Sequence, residues 1–91
     1  MPNSFYKDSD AELDYKFDWS NWLDSGESIS TYAITVSSTL LENTTDSFYS
    51  NSVTVWLAGG SIKSDYNVAC LIQTDSSRID ERTIRIHVRN R

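Results

Sequence analysis

From residue 12 to residue 19 polar and apolar side chains alternate strictly. Leu13, Tyr15, Phe17 and Trp19 fall on one phase, and Glu12, Asp14, Lys16 and Asp18 on the other. A period of two puts successive side chains on opposite faces of a strand, so this segment is predicted to rest one face on a core and turn the other to water. The same period returns four times. Residues 29–36 set Tyr32, Ile34 and Val36 against Thr31, Ala33 and Thr35, with the β-branched content that strands favour. Residues 52–57 set Val53, Val55 and Leu57 against Thr54 and Trp56. Residues 66–73 set Tyr66, Val68, Cys70 and Ile72 against a mixed face, and residues 83–89 set Ile84, Ile86 and Val88 against Thr83, Arg85, His87 and Arg89.

The breaks between these runs carry turn chemistry. Residues 20–26 interrupt the first alternation, with Ser20 placed to cap a single helical turn and Gly26 to close it. Gly59-Gly60 supplies backbone free to take positive φ, and Thr74-Asp75-Ser76-Ser77 forms a polar loop. Residues 37–51 are rich in Ser, Thr and Asn around Leu40-Leu41 and Phe48-Tyr49, which predicts one or two short edge strands. Five clear strands, about seven in all, with no helical periodicity, predict an all-β fold: an antiparallel immunoglobulin-like β-sandwich, a small closed barrel being the alternative. Residues 1–10 hold few core-forming side chains beyond Phe5 and Tyr6 and are expected to form an N-terminal arm, reaching onto a neighbour or disordered, leaving 11–91 as one domain.

Composition narrows the function. The chain has 91 residues, 38% of them hydrophobic, enough for one small core and no second domain. A domain of this size is marginal alone, so a homo-oligomer or a protein partner is expected. The opening residues show no signal-peptide pattern and no apolar run is long enough to cross a membrane, so synthesis in the cytoplasm is expected. The single cysteine, Cys70, sits on the buried phase of a strand and excludes an internal disulfide. The net charge of −5 hides an asymmetry: residues 1–27 carry seven carboxylates against Lys7 and Lys16, whereas residues 78–91 carry five arginines against Asp80 and Glu81.

Candidate chemistry is thin. The run from Asp8 to Asp14 has the alternating carboxylates of a calcium loop, but the sixth and twelfth positions hold Leu13 and Trp19 where Gly and Glu are required, so no metal is expected. His87 stands between Arg85 and Arg89 with no nucleophile motif nearby, and Gly59-Gly60-Ser61 lacks the remainder of a phosphate loop. No catalytic residue and no cofactor are expected. The stripe Arg82, Arg85, Arg89 with His87 is a poor nucleic-acid surface in an acidic domain without interleaved stacking aromatics, and fits protein neighbours better. Trp56 is out of phase with its apolar neighbours, so either both faces of its strand are covered or its indole waits for a partner. The expected partner-binding residues are Arg85, Arg89 and Trp56.

Four stretches carry a more specific pattern: Lys7-Asp8-Ser9-Asp10-Ala11-Glu12-Leu13-Asp14-Tyr15-Lys16-Phe17-Asp18-Trp19-Ser20-Asn21-Trp22-Leu23, Val55-Trp56-Leu57-Ala58-Gly59-Gly60, Tyr66-Asn67-Val68 and Arg78-Ile79-Asp80-Glu81-Arg82. Together they resemble a family of small virion-associated proteins of tailed bacteriophages and prophages. Tyr32 stands where relatives often carry Trp, and an aromatic is retained. The resemblance implies an immunoglobulin-like domain on the virion and supplies no catalytic residue. The favoured expectation is a capsid decoration (cement) protein bound to the major capsid protein; the alternative is a head-tail connector, tail or fibre component. A third class, an enzyme or an inhibitor of host machinery, is disfavoured by the missing motifs.

Overall fold

The structure, a computed structural model, describes residues 4–89. It contains seven strands: β1 (Ser4–Lys7), β2 (Glu12–Asp18), β3 (Ile29–Val36), β4 (Leu41–Phe48), β5 (Ser52–Gly59), β6 (Ser64–Thr74) and β7 (Ile79–Val88). They form a four-stranded sheet in the order β1-β7-β6-β3 and a three-stranded sheet in the order β2-β5-β4. The second set of strands interleaves with the first along the chain, which is the seven-strand immunoglobulin-like arrangement with its first strand placed on the larger sheet. The expected sandwich is therefore present, and the barrel alternative is not.

One expectation is corrected, and the expectation of one or two edge strands over residues 37–51 is met by one. Residues 4–7, assigned to the N-terminal arm, form β1, which pairs with β7 from Ser4 opposite Arg85 to Lys7 opposite Val88. That pairing is parallel, the one departure from antiparallel order among the described strand pairs. Alternation places Phe5 and Lys7 toward the core, where Phe5 meets Tyr15 with ring centroids 5.1 Å apart. Four residues are too few for this period to be read in the sequence. Residues 1–3 of the arm, and Arg91 of the basic end, lie outside the described residues. The polar stretch 37–51 makes a single strand, β4, with an irregularity between Asn43 and Thr45.

The core is built from the predicted phases. Tyr15, Phe17 and Trp19 meet Val53, Val55 and Leu57 of the smaller sheet and Tyr66, Val68, Cys70, Ile72, Ile84, Ile86 and Val88 of the larger. Leu13 shares their phase but is exposed at the start of an edge strand. Burial pushes the Cys70 thiol up to about 12, which keeps it protonated and unreactive.

One end of the sandwich is closed by a buried cation. Lys7 is fully buried and its Nζ donates to the carbonyl oxygens of Asp8, at 2.8 Å, and Gly59, at 2.7 Å, tying β1 to the end of β5. Desolvation lowers its pKa. Gly60 follows at φ +96°, and a Cβ there would lie 2.7 Å from Val88 Cγ2, so the double glycine is required by both backbone and space.

Candidate virion interface

Trp19, Trp22, Arg78, Asp80 and Arg82, from two of the stretches that carry the resemblance, meet at the opposite end. Trp19 is wholly buried and its Nε1 donates to Asp80 Oδ2 at 2.8 Å. Arg82 lies over the Trp19 ring, 4.9 Å from its centroid, and donates to the Asp18 carbonyl at 2.6 Å. Arg78 lies over Trp22 at 4.0 Å and grips Glu27, whose carboxylate also accepts from Thr74 at 2.6 Å. The Glu27 side chain is almost completely buried, and the Arg78 hydrogen bonds, followed by that of Thr74, hold its pKa down at about 2.

The turn between β2 and β3 is helical, with Trp22 and Leu23 amides both bonded to the Trp19 carbonyl. Its cap comes from Asp18, whose Oδ1 accepts from the Ser20 amide at 2.8 Å, rather than from the Ser20 hydroxyl expected from sequence. The arginines of this end are engaged inside the molecule. Arg82, expected in an outward stripe, is spent on Trp19 and Asp18. The motifs are thus a structural clasp.

The two outer faces of the sandwich differ. On the β2-β5-β4 face, register places Asp14 and Thr45 on either side of Trp56, and Glu12 and Glu42 on either side of Ala58. With Asp18 and the single cation Lys16 from β2, this face is acidic around an indole that is 40% exposed. Of the two readings of Trp56, the structure selects the exposed one: both of its chain neighbours, Val55 and Leu57, are buried and the indole faces out.

On the β1-β7-β6-β3 face, Arg85 lies between Ser4 and Asn67, is exposed, and makes no ion pair among the described residues. Arg89 is held by Asp65 at 3.1 Å and by the Val88 carbonyl at 2.9 Å. His87 contacts the same carboxylate at 2.8 Å and faces Tyr6, with centroids 5.0 Å apart, so an aromatic does accompany this stripe. The structure brings Arg85 and Arg89 onto one sheet and sets Trp56 on the other, so the three expected residues do not form one surface.

Where the edges β1 and β2 face each other, a groove of about 600 Å³ is lined by Phe5 and Tyr15 and by the charged Asp14, Lys16, Asp18 and Arg82. Among the described residues no group of three or more His, Cys, Asp or Glu side chains converges as a metal site would. The carboxylates flanking Trp56 escape sequence reasoning as a set, although their shared phase with Lys16 is visible in the alternation.

Residues 7–87 match a family model described as Podophage GP4 fiber-tail adaptor protein gp77. The chain belongs to this family. It is a structural protein of the phage virion, and membership of a fibre-tail adaptor family implies contact with other virion proteins. The match supports the tail or fibre alternative better than capsid decoration, which nothing in the match supports. A search of curated proteins finds no match. The matched span runs from the buried Lys7 to His87 and so covers both the clasp and the two outer faces of this adaptor-family chain.

Proposed function

We propose that this protein is a non-enzymatic adaptor in the tail of a podophage, joining fibre to tail. The observation that carries the reading is the match to the fibre-tail adaptor family over residues 7–87. The geometry suits it. An adaptor touches two neighbours, and the sandwich offers two faces of different chemistry, one acidic around Trp56 and one carrying the exposed Arg85. The acidic face fits a basic surface with a pocket for an indole, because desolvated aromatics surrounded by complementary charge make strong anchors. Arg85 fits an acidic neighbour on the other side.

Counting copies of this chain in purified virions, by quantitative mass spectrometry against tail and capsid proteins, tests the reading. A count that follows the tail components is expected. A count that scales with the major capsid protein would return the chain to head decoration, and absence from the particle would end the virion assignment.

A further inference from the structure

Among the described residues, every arginine but one is answered by the molecule itself. Arg78 grips Glu27, Arg82 lies on Trp19 and donates to the Asp18 carbonyl, and Arg89 is held by Asp65. Arg85 has no such partner. Register sets it between Ser4 of β1 and Asn67 of β6, with Thr83 at the preceding outward position of β7. These four side chains, with Ile84, line a pocket of about 320 Å³ on the outer side of the larger sheet. Asn67 spends its backbone N–H and C=O on Ser37, at 3.0 and 2.9 Å, which leaves its side-chain amide unused. Neither that amide, nor the Ser4 and Thr83 hydroxyls, nor the Arg85 guanidinium has a hydrogen-bond partner among the described residues. No carboxylate lines the pocket. Of those on the outward phase of β6 and β7, Asp65 is taken by His87 and Arg89, and Glu81 lies opposite Leu71, nearer the clasp, without an ion pair to Arg85.

We infer that this pocket takes a carboxylate, the Asp or Glu side chain of a neighbouring virion protein. A guanidinium presents a rigid fork of donors that matches the two oxygens of a carboxylate, and the amide and hydroxyls around it add donors for the remaining lone pairs. The surroundings favour a protein over a free anion. In the next row Thr35, Ala69 and Thr83 lie side by side, and beyond them Ala33 and Leu71, so the strip beside the pocket is small, uncharged and partly apolar up to Glu81. Leu71 is 41% exposed and Ile79, farther along, 63%. A protein face laid on the strip covers these side chains while its carboxylate enters the pocket; a free anion leaves them in water. A buried arginine anchor beside apolar contact is the common composition of a protein interface. The inference deepens the adaptor reading and rests on it for the neighbour being a tail or fibre protein, whereas the choice of a carboxylate comes from the pocket.

The test is made on purified particles carrying variant chains, with circular dichroism of each isolated full chain to verify folding. Arg85→Glu sets a carboxylate against a carboxylate and is expected to lower the number of copies per particle at least about tenfold. Arg85→Lys keeps the charge without the fork, and a loss of about three- to tenfold is expected. Lys63→Glu, the same reversal on an exposed loop, leaves the number unchanged. The Arg85→Lys particles then identify the partner. A carbodiimide condenses an amine with a carboxylate, releasing water and leaving no spacer, so the introduced amine is expected to form an amide with an Asp or Glu of a tail or fibre protein. Mass spectrometry reads that peptide, which unmodified particles lack. An amide to the major capsid protein supports the pocket and overturns the adaptor reading. Undiminished incorporation of Arg85→Glu, or an introduced amine that joins no carboxylate of a different virion protein, overturns the pocket and leaves the adaptor reading to its own copy count.

Discussion

Trp19 and Trp56 occupy similar settings in the chain and opposite ones in the fold. Each lies in or just beyond a strand of the smaller sheet, each with carboxylates close by. Trp19 is in phase with Tyr15 and Phe17, and it is wholly buried with its indole nitrogen bonded to Asp80. Trp56 is out of phase with Val55 and Leu57, and it faces out between Asp14 and Thr45. At the clasp the charges are answered within the molecule: Arg78 by Glu27, Arg82 by the Asp18 carbonyl, Asp80 by Trp19. Around Trp56 the carboxylates of β2 and β4 share a face and outnumber the single lysine. Specific motifs therefore need not mark a binding site. Trp19, Trp22, Arg78 and Arg82 fasten the fold, whereas Asp14 and Trp56, from the same recognisable stretches, are exposed and unneeded by the core.

The contrast can be broken at its strongest point by Trp19→Ala. Removing a fully buried indole and orphaning Asp80 is expected to cost about 3 to 5 kcal/mol in denaturant unfolding. Gly60→Ala at the other end of the sandwich forces φ +96° on a residue with a Cβ that meets Val88, and about 1 to 3 kcal/mol of destabilisation is expected in the same assay.

Acid acts on the clasp through Glu27. Its pKa is depressed from 4.5 to about 2 on folding, so its stabilisation is complete above 4.5 and is lost as pH falls toward 2. Glu27→Gln is expected to flatten the pH dependence of the thermal midpoint in that window. Trp56→Ala sharpens the comparison from the other side. Its effect on stability is expected within about 0.5 kcal/mol, while its incorporation into particles falls. A large loss of stability in that variant would place Trp56 with Trp19 and remove it from the interface.

The strands that bury a full face were legible from sequence, because a period of two with large side chains on one phase has a single outcome once a core exists. Residues 12–19, 52–57, 66–73 and 83–89 all kept the phase they show in the chain. β1 was not legible: four residues give too little period, and its apolar phase holds a lysine whose burial depends on the Asp8 carbonyl beside it and the distant one of Gly59. Nor was the fate of the arginines. Arg78, Arg82, Arg85 and Arg89 look alike in sequence, yet two are drawn onto tryptophans, one is held by Asp65 and one has no ion pair among the described residues.

Composition and alternation by themselves determined an all-β fold, with a sandwich favoured over a barrel, a buried cysteine and an outward Arg85, since burial of apolar area follows local pattern. Only the tertiary structure decided that the first described residues complete a sheet, that the two signature motifs clasp each other, and that Trp56 and Arg85 face opposite ways. Those outcomes rest on contacts between residues dozens of positions apart, and charge pairing and edge exposure are properties of neighbours in space, which the order of residues along the chain does not contain.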